Sequence, residues 1–367
     1  MSEEKRMIPQ MEPWFDELEA KAVFDYMQSG GWIMEFKKTE ELERMIAEYV
    51  GAKYCILTNN GTISLTLALL ALGLKAGDEV LVPDFTMIAS PNAAKLVGIE
   101  PLLVDIDKET LSMNLEEAER AITPRTKALM YVAFNGRSGE MNAIVEFCKK
   151  HNLFLLEDAA QALGSKFKGK HLGTFGHIGS FSFSVPKVIT TGQGGALVTD
   201  NEELAQKIRR LKDFGRTRGG LDIHDEWGWN FKFTDLQATI GIEQMKKLPS
   251  RVERKKAIWR LYQKELEGID FIEWVPTNLE DTSPWFIEIL INDPDKLAAY
   301  LKEQGIGSRR VYPAIHTQTI YQGAYQGKSF PAAEEIARRG LWLPSSSKLS
   351  DEDIVYIASA IKEYYHQ

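Results

Sequence analysis

The sequence has little cysteine, no excess of positive charge and no long apolar stretch, and each absence excludes a class of protein. Only two cysteines, Cys55 and Cys148, occur in 367 residues. They are too few for the disulfide framework of a small secreted domain and too far apart for a zinc site, so we expect both in the core. The chain has 44 Lys and Arg against 52 Asp and Glu, a formal net charge of −8. This charge argues against sequence-independent binding to nucleic acid or to an acidic membrane surface.

No apolar run approaches the roughly 18 residues that a membrane span requires. Residues 1–6 carry charges and have no apolar segment after them, which favours a cytoplasmic protein. The composition that remains is that of an ordinary globular protein, with 44% hydrophobic and 26% charged residues. The length permits two domains of roughly 100–200 residues each.

Short apolar runs alternate with helix-length segments between positions 54 and 199, a pattern typical of a sheet covered by helices on both faces. The predicted strands are 54–57, 79–82, 101–104, 128–134, 154–157, 179–183 and 195–198. The first five lie far enough apart for parallel crossovers, whereas the last two are close enough to be locally antiparallel. The sequence therefore predicts an α/β fold with a mostly parallel seven-stranded sheet.

Helical patterns dominate after position 200. They predict helices at 201–214, at 234–266 with an interruption near Pro249, and at 294–304, 332–339 and 351–365. A further strand is predicted at 285–291. We therefore expect a large domain over residues 1–249, including the N-terminal segment, and a smaller C-terminal α+β domain over residues 250–367.

The first segment with chemical content is Asn60-Gly61-Thr62, which follows a predicted strand and opens an apolar helix. A helix N-terminus offers unpaired N–H groups and a partial positive charge, and a glycine lets the backbone approach an anion. These residues can therefore form a phosphate site. The same triplet is also typical of a turn with a helix cap.

The predicted strand 154–157 delivers two adjacent carboxylates, Glu157 and Asp158, to its C-terminal end. That end is where open α/β sheets bind their ligands. Because side chains alternate along a strand, we expect only one of the two to face a site, while the other serves the structure.

Lys187 lies in a stretch that is otherwise aromatic, hydroxyl-bearing, glycine or apolar, from Ser180 to Gly195. A desolvated lysine has a lowered pKa and becomes an amine nucleophile of the kind that forms a Schiff base. The alternative is a surface lysine on a hairpin loop. An anion site, a carboxylate and an amine together match the needs of pyridoxal 5′-phosphate (PLP), whose phosphate, ring nitrogen and aldehyde they would bind.

These segments resemble the DegT/DnrJ/EryC1/StrS nucleotide-sugar aminotransferases, and the likeness covers nearly the whole chain. The motifs that carry it are Asn60-Gly61-Thr62, Glu157-Asp158-Ala159-Ala160-Gln161, Ser182-Phe183-Ser184-Val185-Pro186-Lys187, Thr190-Thr191-Gly192-Gln193-Gly194-Gly195 and Gly228-Trp229-Asn230-Phe231. Within the family, Arg310-Val311-Tyr312-Pro313 and His316 look most like the perosamine synthases, which aminate GDP-4-keto-6-deoxymannose at C4. The resemblance makes Arg310, Tyr312 and His316 candidate substrate contacts.

The resemblance implies PLP fold type I, a homodimer with shared active sites, and a ping-pong reaction with L-glutamate as amino donor. It makes Lys187 the Schiff-base lysine and proton shuttle, and Asp158 the partner of the pyridine nitrogen. Gln161 would contact the phenolic oxygen of the cofactor. The implied cofactor-binding residues are Asn60, Gly61, Thr62, Met87, Asp158, Gln161, Ser182, Lys187 and, from the other subunit, Asn230. No metal is expected.

Several positions depart from the family pattern. Met87 stands where an aromatic ring usually stacks on the cofactor, Gln193 replaces a Glu and Lys232 replaces an Arg. These changes leave open an aminotransferase acting on a UDP- or dTDP-linked 3-keto or 4-keto sugar. A sugar dehydratase of the same group would have His in place of Lys187, and a regulator with this fold would need an added DNA-binding module. A cationic cluster from Lys207 to Arg218 can be read as a diphosphate site or as a solvated helix face.

Overall fold

The fold is that of a computed structural model and covers residues 7–217 and 221–366. Its strands are β1 (Tyr54–Thr58), β2 (Glu79–Pro83), β3 (Glu100–Val104), β4 (Thr126–Val132), β5 (Phe154–Asp158), β6 (Lys166–Phe167), β7 (Lys170–His171), β8 (Ile178–Ser182), β9 (Gly195–Thr199), β10 (Ile287–Leu290), β11 (Arg309–Arg310) and β12 (Gly340–Leu343). Its first six helices are α1 (Glu17–Gln28), α2 (Lys37–Val50), α3 (Gly61–Ala71), α4 (Ala89–Lys95), α5 (Leu115–Ala121) and α6 (Met141–Lys150). The others are α7 (Glu202–Lys212), α8 (Asp235–Glu265), α9 (Pro294–Glu303), α10 (Thr319–Gln322), α11 (Pro331–Arg339) and α12 (Asp351–Tyr365), with 3₁₀ turns at Phe134–Gly136 and Ile315–Thr317.

The main sheet has seven strands in the order β1-β9-β8-β5-β4-β2-β3, and these are the seven predicted strands. From β8 to β3 all pairs are parallel, whereas β9 is antiparallel to both β8 and β1. The β8–β9 connection contains no helix to carry a parallel crossover. The predicted mostly parallel α/β sheet is therefore confirmed, including its local antiparallel pair.

Both faces of the sheet are buried, which explains the nearly continuous apolar strand sequences. On one face Leu57, Leu81 and Leu129 pack with residues of α2 and α8. On the other, the alternate positions, such as Val80 and Met130, pack with α3 and α7. Both cysteines are buried and free, as the sequence predicted.

The small C-terminal sheet has the order β10-β12-β11, and both of its strand pairs are antiparallel. It packs with α9, α12 and the second half of α8 in a separate apolar cluster that includes Ile258, Leu297 and Ile357. This arrangement matches the predicted α+β character of the C-terminal part. Within the described residues, no helix is both long enough and apolar enough to cross a membrane.

The predicted interruption near Pro249 is wrong, because α8 runs for 31 residues with Pro249 inside it. A proline in a helix interior removes one hydrogen bond and costs about 3 kcal/mol in isolation. Here Leu248 and Val252 on either side are buried against the core, so tertiary packing outweighs that cost. The proposed division between domains at 249/250 falls inside this helix.

Candidate active site

The N-terminus of α3 lies at the end of β1, where the sequence predicted an anion site or a helix cap. Asn60 is the N-cap, and its side-chain oxygen accepts a hydrogen bond of 2.9 Å from the backbone N–H of Ile63. Close packing here requires glycine. A Cβ on Gly195 would lie 2.6 Å from the Asn60 carbonyl carbon, and one on Gly61 would lie 3.0 Å from the Ser182 Cβ. The first turn of α3 is thereby held against the ends of β8 and β9.

Asp158 ends β5 and is only 6% exposed. One carboxylate oxygen accepts a hydrogen bond of 2.7 Å from the Ser90 hydroxyl, and the other accepts one of 3.2 Å from the Ala160 N–H. Burial raises the pKa of Asp158, while these hydrogen bonds and the nearby charge of Lys187 oppose the increase. Such a carboxylate is poised to pair with a cation that enters the site.

Glu157 points away from Asp158, as the strand alternation predicted. Its carboxylate accepts hydrogen bonds of 2.6–2.7 Å from the backbone N–H groups of Gly173, Phe175 and Gly176. Glu157 therefore serves the structure by holding this loop, and only Asp158 faces the site.

Lys187 lies in the connection between β8 and β9, with its Nζ 4.1 Å from the centroid of the Trp285 ring. Trp285 is itself fixed by a hydrogen bond of 2.7 Å from its indole N–H to the Pro186 carbonyl. Burial lowers the pKa of Lys187 to about 8, and the negative charge of Asp158 opposes this shift. At pH 7 about a tenth of the amine is therefore neutral, far more than for an ordinary lysine, as expected for a nucleophilic one.

These groups line one cavity of about 640 Å³. Of the residues predicted for the site, it is lined by Asn60, Gly61, Thr62, Met87, Asp158, Gln161, Ser182, Lys187 and Tyr312. The cavity also contains Trp285 and Arg309, which the sequence reasoning missed. The adjacent pair Arg309-Arg310 was the available signal for Arg309, since strand alternation sends neighbouring side chains to opposite sides.

Three predicted residues do not line this cavity. The Arg310 guanidinium pairs with Asp295 at 2.8 Å and donates to the carbonyls of Gly340, Ala337 and Arg338. Asn230 forms a backbone bridge with Asp213. Neither residue lines the cavity of its own chain.

His316, the third of these residues, is engaged by the buried carboxylate of Asp84. Its Nδ1 lies 2.6 Å from one Asp84 oxygen, and its backbone N–H donates to the other at 2.8 Å. Because Asp84 directly follows β2, this pair joins the C-terminal part of the chain to the loop between β2 and α4, which carries Met87. His316 therefore contacts the segment that precedes Met87 and does not itself line the cavity.

The groups that line the cavity fit PLP. A helix N-terminus with hydroxyl groups suits a phosphate, a buried carboxylate suits a pyridinium nitrogen, and an amine of lowered pKa suits an aldehyde. A volume of 640 Å³ is within the roughly 300–1,000 Å³ usual for cofactor sites. No group of three or more metal-ligating side chains occurs in residues 7–217 and 221–366. The fold and this site together define a PLP-dependent enzyme of fold type I.

The family follows from comparison with known proteins. Residues 13–362 match the model of the DegT/DnrJ/EryC1/StrS aminotransferase family, and the chain belongs to this family. It is 37% identical to a GDP-perosamine synthase of Escherichia coli O157:H7, over 98% of this chain and 99% of that protein.

Solved structures of other proteins have the same fold. The putative sugar aminotransferase Spr1654 from Streptococcus pneumoniae, in its PLP form, matches with a TM-score of 0.93 and 28% identity, covering 98% of this chain and 99% of that one. DesI, solved in the presence of its TDP-sugar product, matches with a TM-score of 0.91 and 26% identity, covering 99% of this chain and 94% of that one. The protein is therefore a PLP-dependent aminotransferase.

Proposed function

We propose that this enzyme transfers the amino group of L-glutamate to C4 of a nucleotide-linked 4-keto-6-deoxy sugar, converting GDP-4-keto-6-deoxymannose to GDP-perosamine. The main support is the 37% identity to a GDP-perosamine synthase over nearly the whole of both chains. The local resemblance at residues 310–316 supports the same substrate.

In this proposal Lys187 is the catalytic base and acid. With a pKa of about 8, its amine can accept the proton that leaves the reacting carbon of the amino donor. The protonated amine can later donate a proton to the reacting carbon of the acceptor sugar. Its position over the Trp285 ring, 4.1 Å away, restricts the amine to one side of the cavity. When bound, PLP supplies an aldehyde that accepts amino groups and a ring that withdraws electrons from the reacting carbon.

Asp158 would keep the pyridine nitrogen protonated, and Ser90 would hold the carboxylate in place through the hydrogen bond of 2.7 Å. A charge-assisted hydrogen bond of this kind is worth on the order of 1.5–3 kcal/mol. Gly61, Thr62 and Ser182, with Asn60, would hold the phosphate. Gln161 would meet the phenolic oxygen, and the Met87 thioether would cover one ring face.

We further propose a homodimer in which Asn230 completes the phosphate site of the second copy. The support is that Asn230 does not line the cavity of its own chain. Tyr312, which does line it, would contact the sugar. We assign His316 and Arg310 a positioning role, because their side chains are held by Asp84 and Asp295.

A second candidate substrate is a UDP- or dTDP-linked 3-keto or 4-keto sugar, favoured by the fold match to DesI with its TDP-sugar product. A dehydratase reaction is less well supported, since Lys187 is present where such enzymes would have His. A regulatory role is also less well supported, because Lys187 and Asp158, the residues needed for catalysis, line the cavity together.

The first test is the absorption spectrum of the purified protein. We expect a yellow protein whose visible band decreases when L-glutamate is added, and a Lys187→Ala variant that is colourless and does not respond. Lys296→Gln, at an exposed lysine, is the matched control and should behave like the parent. A Lys187→Ala variant that cycles with glutamate as the parent does would show the catalytic assignment to be wrong.

The substrate needs a direct assay. The enzyme is incubated with L-glutamate and GDP-, UDP- or dTDP-linked 4-keto-6-deoxy sugars, and the amino sugar product is identified by mass spectrometry and NMR. We expect GDP-perosamine from the GDP-linked substrate. Activity confined to UDP- or dTDP-linked sugars would refute the GDP-sugar proposal while leaving the aminotransferase assignment intact.

A further inference from the structure

Arg309 is an exposed arginine at the edge of the cavity that contains Lys187 and Asp158. Its guanidinium carbon lies 5.7 Å from the centroid of the Tyr312 ring and 5.6 Å from that of the Trp342 ring. Cation–π contacts of this kind hold the guanidinium in place without neutralising its charge. Among the described residues, no carboxylate lies within ion-pair distance of Arg309, in contrast to Arg310 and its partner Asp295.

The cationic cluster from Lys207 to Arg218, considered above as a diphosphate site, contains cations that are already engaged. Arg209 pairs with Glu43 at 2.8 Å, Arg210 pairs with Glu226 at 2.5 Å, and Arg216 pairs with Asp213 at 3.1 Å. Lys212 is buried and pairs with Glu35 at 2.8 Å. Arg218 lies outside the described residues. Within the described part of the chain, Arg309 is thus the arginine that lines the cavity and has no carboxylate partner.

Arg309 and Lys187 contact rings of one aromatic cluster. Lys187 lies over Trp285, and the ring centroids of Trp285 and Trp342 are 5.8 Å apart. Arg309 lies over Trp342 and Tyr312. Arg309 and Lys187 therefore contact different rings of this cluster, and Arg309 is the more exposed of the two.

We propose that Arg309 binds the diphosphate of the nucleotide-linked sugar that accepts the amino group. The proposal rests on the proposed function. The α-carboxylate of an amino donor is bonded to the reacting carbon and must lie beside Lys187. The diphosphate, by contrast, is separated from the keto carbon by the sugar ring, and Arg309 contacts other rings than Lys187 does and is more exposed. A planar guanidinium suits phosphate oxygens because it donates two parallel hydrogen bonds.

The test is calorimetric titration of the PLP-loaded enzyme with GDP-mannose, which has no keto group and cannot react. We expect Arg309→Gln to weaken binding about 10- to 100-fold, as for loss of a charge-assisted hydrogen bond, and Arg309→Lys to weaken it less. Arg338→Gln removes another exposed arginine, one outside the cavity lining, and should bind GDP-mannose like the parent. Conversion of the loaded enzyme by L-glutamate, followed from its visible band, should be unchanged in Arg309→Gln.

The possible results separate the proposals. Unchanged GDP-mannose affinity in both Arg309 variants, with thermal unfolding like that of the parent, would overturn the role of Arg309. A slower glutamate reaction with unchanged GDP-mannose affinity would overturn it as well, by assigning the guanidinium to the donor carboxylate. If the parent itself binds no GDP-, UDP- or dTDP-linked sugar, the proposed function fails, and the inference fails with it. If it binds only UDP- or dTDP-linked sugars, the same titrations apply with that ligand, because all three share the diphosphate.

Discussion

At the scale of single residues, two opposing effects, burial and the charge of Asp158, set the pKa of Lys187. Burial lowers its pKa to about 8, whereas the Asp158 carboxylate favours the protonated amine. Only the neutral amine attacks an aldehyde. Lys187 therefore gains reactivity as the pH rises through about 8, and loses it about tenfold per pH unit below that value.

This balance predicts how PLP attaches to the apoprotein. The rate of appearance of the visible band should rise up to about pH 9, with its midpoint at about pH 8, and level off above that because the amine is then mostly neutral. In Asp158→Asn the favourable negative charge is removed, so the midpoint should shift to lower pH. Stopped-flow absorbance over this pH range measures both profiles, with Lys296→Gln as the unaffected control. A rate that still rises at about pH 10, as for a lysine with the ordinary pKa of 10.5, would contradict the role of burial.

At the scale of elements, the site depends on how closely α3 approaches the sheet. Gly195 is paired with Thr58 of β1 and Ser182 of β8, and a Cβ there would meet the Asn60 backbone at 2.6 Å. Gly195→Ala should therefore displace the first turn of α3. Overpacking of this kind costs about 1–3 kcal/mol, and we expect a lower unfolding temperature together with weaker PLP binding.

Gly323→Ala is the matched control, because Gly323 has open space around it and an ordinary helical φ of −63°. Thermal unfolding of both apoproteins and fluorescence titration with PLP compare the two variants. A Gly195→Ala protein that binds PLP as tightly as Gly323→Ala would show that α3 does not need its close contact with β9.

The elements also show what could be predicted from the sequence and what could not. The seven strands, Asp158 and Lys187 followed from apolar periodicity and from residue types out of place in their surroundings. Trp285 could not be placed by these means, because its contact with Lys187 joins positions far apart in the chain. The continuity of α8 across Pro249 was missed for a related reason, since the local cost of proline is offset by buried contacts that only the tertiary structure provides.

The local resemblance pointed to Arg310 where the structure places Arg309 in the cavity. The two residues are adjacent on the edge strand β11, so their side chains leave on opposite sides. Which side faces the cavity depends on the pairing of β11 with β12, where Arg309 lies opposite Trp342. A sequence pattern two residues long cannot determine that register.

At the scale of the whole molecule, the proposed domains share a core. One apolar cluster contains Val80 and Met130 of the large sheet together with Trp285 and Trp342 from the C-terminal part, and α8 runs through the proposed boundary. Residues that share a core unfold together.

We therefore expect differential scanning calorimetry of the apoprotein to show a single unfolding transition, with equal calorimetric and van't Hoff enthalpies per unfolding unit. A fragment of residues 1–249 should not fold by itself, because it would expose the apolar surface that Trp285 and Trp342 cover. Two well-separated transitions in the full chain, or a stably folded fragment, would contradict the shared core.

The two carboxylates at the end of β5 limit how this protein can change over time. Glu157 anchors the loop at residues 173–176 from one face of the sheet, and Asp158 reaches the cavity from the other. Deleting or inserting one residue within β5 would exchange their faces, leaving the loop without its acceptor and the cavity with a side chain of different length. In descendants of this chain, we therefore expect insertions and deletions in the loops and a constant length of β5.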